Sequence, residues 1–172
     1  PRGNDGLLYS PQDAGEGAKT LALINRMIGA IDAANADPRA LTPREELQRD
    51  WHDDMIWWGP AGIGATYTIE RYAKQHSGPF RAAFSDRSGT GHVARIAEGN
   101  YSGFFGWPNF RARPTGGFLG LEPSDKLCEF RVIDIYRRDS DKLSENWIFI
   151  DLLHFCNQLG VDILGDMKES SK

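Results

Sequence analysis

Residues 127–160, LCEFRVIDIYRRDSDKLSENWIFIDLLHFCNQLG, decide how this chain folds. Strand side chains alternate between faces, and Cys128, Phe130, Val132, Asp134 and Tyr136 fall on one face of the first arm. Asp139-Ser140-Asp141-Lys142 reads as a reversal, because Asp and Ser side chains bond their own backbone. The returning arm sets Glu145, Trp147, Phe149 and Asp151 on one face and Asn146, Ile148 and Ile150 on the other. A tight turn pairs Tyr136 with Glu145, Asp134 with Trp147 and Phe130 with Asp151. Two carboxylates then share one apolar ribbon face, on the order of 13 Å apart at about 3.3 Å per residue. Ile148 and Ile150 are assigned to the outer face, and Leu152 to Leu159 to a closing helix stopped by Gly160.

Upstream, Leu21, Ile24, Met27, Ile28 and Ile31 recur at helical spacing within Lys19–Ala34 and predict an amphipathic helix covering a sheet. Asn35–Leu41 reads as a loop. Thr42-Pro43-Arg44-Glu45 is a helix start, with Thr as N-cap and Pro at the first helical position. Met55–Trp58 is a short strand, and the glycines that follow make a loop. A third helix from Thr68 carries Tyr72 and His76 on its apolar stripe and breaks at Ser77-Gly78-Pro79. From His92 on, strands are predicted over 92–97, 101–107 and 110–121, with bulges at Gly103 and Gly106. Helices followed by an antiparallel meander make an α+β fold, a curved mostly antiparallel sheet with helices gathered on one face. Residues 1–16 are expected to be a tail, 17–165 one domain, and 166–172 a C-terminal tail.

The bulk properties narrow the function. A 172-residue chain with 40% apolar and 26% charged residues is an ordinary soluble globular domain. A net charge of −4 without a basic cluster argues against nucleic acid as partner. No apolar run approaches the roughly 20 residues that span a bilayer, so no membrane partner is expected. Cys128 and Cys156 have no metal or redox spacing and read as buried free thiols, which fits a cytoplasmic location. The four scattered histidines lack ligand spacing, so no metal is expected. His92 and His154 read as structural.

Three stretches resemble the SnoaL-like polyketide cyclase family, within the nuclear-transport-factor-2-like cone fold. They are Trp57-Trp58-Gly59-Pro60 with the glycines after it; Ala97-Glu98-Gly99-Asn100 with Thr115–Gly120; and Glu145-x-Trp147-x-x-x-Asp151 followed by Gln158-Leu159-Gly160. The resemblance implies a cone with the N-terminal helices packed on the concave face of the sheet around a hydrophobic pocket, and acid/base chemistry, aldol cyclisation or isomerisation, on a small hydrophobic carbonyl compound. It implies no cofactor and a homodimer formed through the convex sheet. By motif position it makes Asp151 the acid/base residue. The histidine expected on the preceding strand is replaced by Asp134, and His76 is the third catalytic candidate. Asp151 equally suits a helix cap, because it directly precedes a helix. Trp58, Phe80, Trp107, Phe130, Tyr136, Trp147 and Phe149 are the candidates for the ligand-binding wall. A non-catalytic ligand-binding domain is the alternative. A dehydratase or epoxide hydrolase is a further one, the last needing two aspartates and an arginine such as Arg95 or Arg131.

Overall fold

Strands β6 (Cys128–Asp139) and β7 (Lys142–Ile150) form the long hairpin of the computed structural model, which describes residues 11–36 and 43–170. Its register departs from simple alternation. Asp139 pairs with Lys142 and Arg138 with Leu143, as a tight turn requires, but Arg137 then pairs with Glu145. Ser144 is therefore the extra residue of a β-bulge, and one extra residue turns every later side chain to the opposite face. Beyond it Tyr136 lies opposite Asn146, Asp134 opposite Ile148, and Val132 opposite Ile150. Ile148 and Ile150 thus share the inner face with Asp134. Trp147 and Phe149 take the outer face, which corrects the pairing expected from the sequence.

The sheet runs β2-β1-β7-β6-β5-β3, with β4 also paired to β5. β1 (Trp51–Trp58) lies parallel to β7, and the other pairings are antiparallel. β2 (Ala65–Tyr67) occupies what reads as loop, and β3 (Ser85–Gly89) is a polar edge strand that alternation does not reveal. β4 spans Ala94–Glu98. β5 runs from Tyr101 to Arg113, where the sequence predicts two strands. Its register slips between Gly106 and Phe110, so Pro108 sits where the ladder is already interrupted and its missing N–H costs little. The slip lets one strand bend enough to pair with β4 at one end and β3 at the other.

Helix α1 (Ala14–Ala36) begins earlier than its apolar stripe and buries Leu23, Ile24, Met27 and Ile28. Buried Arg138 ties it to the hairpin, donating to Thr20 Oγ1 at 2.8 Å and pairing with Glu16. α2 spans Pro43–Gln48; the expected Thr42 cap, most of the 35–41 loop and residues 1–10 of the tail expected over 1–16 lie outside the described residues, and α1 takes up 14–16 of that tail. The third helix is split into α3 (Ile69–Tyr72), a π-turn over Ala73–Ser77 and α4 (Gly78–Ala83). Pro79 falls in the first turn of α4, where an absent donor is harmless, and the wide turn absorbs the break. α5 (Leu152–Gln158) closes the hairpin, and α6 (Ile163–Ser170) continues past the boundary drawn at 165.

The core centres on Phe130, whose ring meets Phe110 at 4.4 Å, Phe155 at 4.7 Å and Phe84 at 5.0 Å. Cys128 and Cys156 are buried free thiols. Among the described residues no helix is long and apolar enough to cross a membrane.

Candidate active site

A cavity of about 590 Å³ lies between the inner face of the sheet and α1–α4. Its apolar wall comes from Trp57, Phe80, Phe110, Phe130, Ile148 and Ile150, and polar groups that include His76, His92, Asn109, Asn146 and three arginines share the lining. Asp134 stands among them at mid-sheet, only 4% exposed. Alternation places it there: it occupies the same face of β6 as Phe130, Val132 and Tyr136. Burial raises its carboxyl to about 7, opposed by a hydrogen bond from Asn146 Nδ2 to Oδ1 at 2.7 Å. Asn146 also donates to the Ile135 carbonyl at 3.2 Å, which fixes the amide. The hydroxyl of Tyr136, beside Asp134 and Tyr72, is pushed well above its ordinary range, chiefly by burial.

Two histidines face the same space. His76, on the π-turn, stacks on Trp57 at 3.8 Å and lies 5.2 Å from the Tyr72 ring. Desolvation lowers it to about 4, so it is neutral near pH 7. His92 stacks on Phe104 at 3.8 Å and 8°. Arg95 Nε donates to its Nδ1 at 2.8 Å, so Nε2 carries the proton and donates to Asn109 Oδ1 at 2.8 Å. Burial lowers its pKa as well. Among the described residues no group of three or more His, Cys, Asp or Glu is placed to hold a metal ion.

The SnoaL-like polyketide cyclase model matches residues 72–159, just over half the chain. The chain belongs to the SnoaL-like polyketide cyclase family. No curated protein matches it in sequence. Similar solved structures include TsrD from Streptomyces laurentii, at 21% identity and TM-score 0.63 over 81% of this chain and 96% of that one. IdmH from Streptomyces antibioticus superposes with TM-score 0.60 at 19% identity, over 80% and 98% of the two chains. An NTF2-like protein from Burkholderia xenovorans gives 0.61 at 12% identity, over 83% and 96%. At such identities the likeness is one of fold.

Within this SnoaL-like chain the structure gathers part of the expected site. Asp134, His76, Phe80, Phe130 and Tyr136 line the cavity. Asp151 does not. It is the N-cap of α5, accepting from His154 N at 3.0 Å, and it lies 3.6 Å from Arg131 on the far side of the hairpin end. Trp147, Phe149 and Trp58 point outward, the first two through the Ser144 bulge. Trp57, not Trp58, faces inward, because the alternation of β1 buries residues 55 and 57. Trp107 is half exposed on the outer face, with the Arg131 guanidinium 5.0 Å from its ring. The cavity wall also carries Asn146 and Tyr72, which the sequence did not single out, and His92, which it reads as structural. Asn146 carries the clearest signal, a polar residue on the same face as two isoleucines.

Proposed function

We propose that this protein performs cofactor-independent acid/base chemistry, aldol ring closure or isomerisation, on a flat hydrophobic carbonyl compound, with Asp134 as the base. The observation that carries this reading is a carboxyl buried in an apolar cavity with its proton affinity raised to about 7. Such a group takes and returns a proton near neutrality, where an exposed aspartate is too weak a base. In the proposed reaction Asp134 removes the proton next to a carbonyl, leaving an enolate. For ring closure the enolate carbon bonds to a second carbonyl carbon, and Asp134 returns the proton to the new alkoxide. Neutral His76 is a donor available to the developing oxyanion. A relay of two aspartates and an arginine, which epoxide hydration needs, is not assembled among the described residues. Arg131 pairs with Asp151 outside the cavity, and Asp134 is held by Asn146.

The test is loss of the activated proton from an aromatic 1,3-diketone in deuterium oxide, followed by NMR with catalytic amounts of protein. Exchange above the buffer rate supports the reading. Stoichiometric binding of the diketone without exchange favours a non-catalytic ligand-binding domain. Asp151→Ala serves as the contrast. It is expected to keep the exchange rate within about twofold and to lose about 1 kcal/mol of stability, the cost of a helix cap, in urea unfolding. A rate loss without a stability loss would return the base to Asp151.

The outer face supports a homodimer. Phe105, Ile133 and Phe149 form one row across three strands, and Phe149 is 58% exposed. Trp58, Trp147 and Ile135 form the next row. An uncovered apolar face of this kind suits a second copy of the chain. Sedimentation at micromolar concentration should give a dimer for the wild type and a monomer for Phe149→Arg. A wild-type monomer under these conditions excludes the pairing.

A further inference from the structure

The cavity has a cationic end that the proposed proton transfer does not use. Arg81 on α4, Arg87 on β3 and Arg95 on β4 line it, together with Asp32 on α1. Arg87 is the informative member. It is half-buried, and its own pKa is lowered by desolvation and by the neighbouring charge of Arg81. Its Nη1 donates to the carbonyls of Arg81 at 3.1 Å and Phe84 at 2.9 Å, closing the C-terminal end of α4. A helix cap alone would need one donor nitrogen, and a lysine could supply it. The guanidinium keeps Nε–H and Nη2–H besides. Those two parallel donors form the side-on fork that grips a carboxylate in a bidentate pair. Arg95 is differently employed, holding His92 Nδ1 and Asn25 Oδ1 at 2.7 Å. Its charge still adds to the same end of the cavity.

We propose that this arginine end binds a carboxylate carried by the flat hydrophobic ligand, with Arg87 as the anchoring residue, so that the preferred substrates are aromatic or polycyclic acids rather than their neutral esters. The assignment rests on reading the cavity as the ligand site. A carboxylate anchored at the sheet's edge strands directs the apolar body toward Asp134 at mid-sheet. A guanidinium held at a half-buried position, as Arg87 is, loses hydration in the empty protein, and a carboxylate against it offsets that cost.

The test compares β-naphthoate with its methyl ester by isothermal titration at low ionic strength. The wild type is expected to bind the acid about tenfold or more tightly than the ester, as charge-assisted hydrogen bonds require. Arg87→Gln should abolish that preference while leaving the ester's affinity within about twofold, which also reports an intact cavity. If Arg87→Gln fails to fold through loss of the α4 carbonyl bonds, Arg87→Lys keeps a donor and the charge. It should retain less than half of the preference in logarithmic terms, because the fork is lost. Equal affinity of acid and ester in the wild type overturns the proposal, as does a preference untouched by both substitutions. Failure of both probes to bind at millimolar concentration overturns it too. Acid preference without any proton exchange would sink the catalytic reading and leave this one standing. Exchange without acid preference does the reverse.

Discussion

Asp134→Asn is expected to cut proton exchange at least a hundredfold and to make the fold harder to unfold at pH 8. The rate follows from the loss of the only proposed base, since a positioned general base contributes roughly a hundredfold or more. The wild-type rate should rise with pH through about 7, the value to which burial brings the carboxyl, and the variant should lack that limb. The stability follows from linkage. The folded protein holds the Asp134 proton up to about 7, whereas an unfolded aspartate releases it near 3.9. The group's contribution is therefore fully present below about pH 4 and is lost as pH rises through 7. The gap between the two values corresponds to roughly 4 kcal/mol. An amide is neutral throughout and can still accept the Asn146 Nδ2 hydrogen bond, so the variant escapes this loss. His76 acts in the opposite sense. Its ring is lowered to about 4 in the fold, so its contribution is present above about 6.5 and is lost as pH falls through 4. Both proteins carry His76, and their difference isolates Asp134. Urea unfolding at pH 5 and pH 8 should show variant and wild type diverging by a few kcal/mol at the higher pH. Parallel pH dependence of the two would mean that Asp134 is ionised in the fold with its charge well solvated.

The fold was legible because its signals are local. The α1 stripe, the break before Pro79 and the alternation of β6 are each written in a window of a few residues. The site was only half legible, and Ser144 explains why. Alternation along β7 is regular on both sides of Ser144, so nothing in the sequence marks it as the residue that drops out of register. One unpaired residue exchanges Trp147 and Phe149 for Ile148 and Ile150 on the cavity wall. It also removes Asp151 from the ribbon face that it was expected to share with Asp134. Asp134 escaped the error because it lies on the unbulged arm. The place of His92 on the cavity wall was hidden for another reason. Its ring is placed by stacking on Phe104 and by bonds from Arg95 and to Asn109, long-range contacts that no short window displays. The cationic end was hidden in the same way, with its arginines on three elements brought together by the bend in β5.

The placement of the bulge has an energetic consequence that separates two phenylalanines the sequence puts on one face. Phe130 is 2% exposed and in ring contact with Phe84, Phe110 and Phe155. Phe130→Ala is expected to cost about 3–5 kcal/mol, the range for a buried phenylalanine whose neighbours cannot fully collapse. The lower end applies if water from the adjoining cavity enters the vacated volume, because part of the ring already faces that space. Phe130→Leu should recover part of the loss, since it keeps most of the apolar contact with Phe155 and Phe84. Phe149→Ala, in dilute solution where the chain is monomeric, should stay within about 0.5 kcal/mol, as for surface positions generally. Urea midpoints with unchanged slopes would give these differences directly. Similar losses at both positions would mean that Phe149 turns inward with Phe130. Ser144 would then not be the extra residue, and the cavity wall would be built from Trp147 and Phe149, as simple alternation has it.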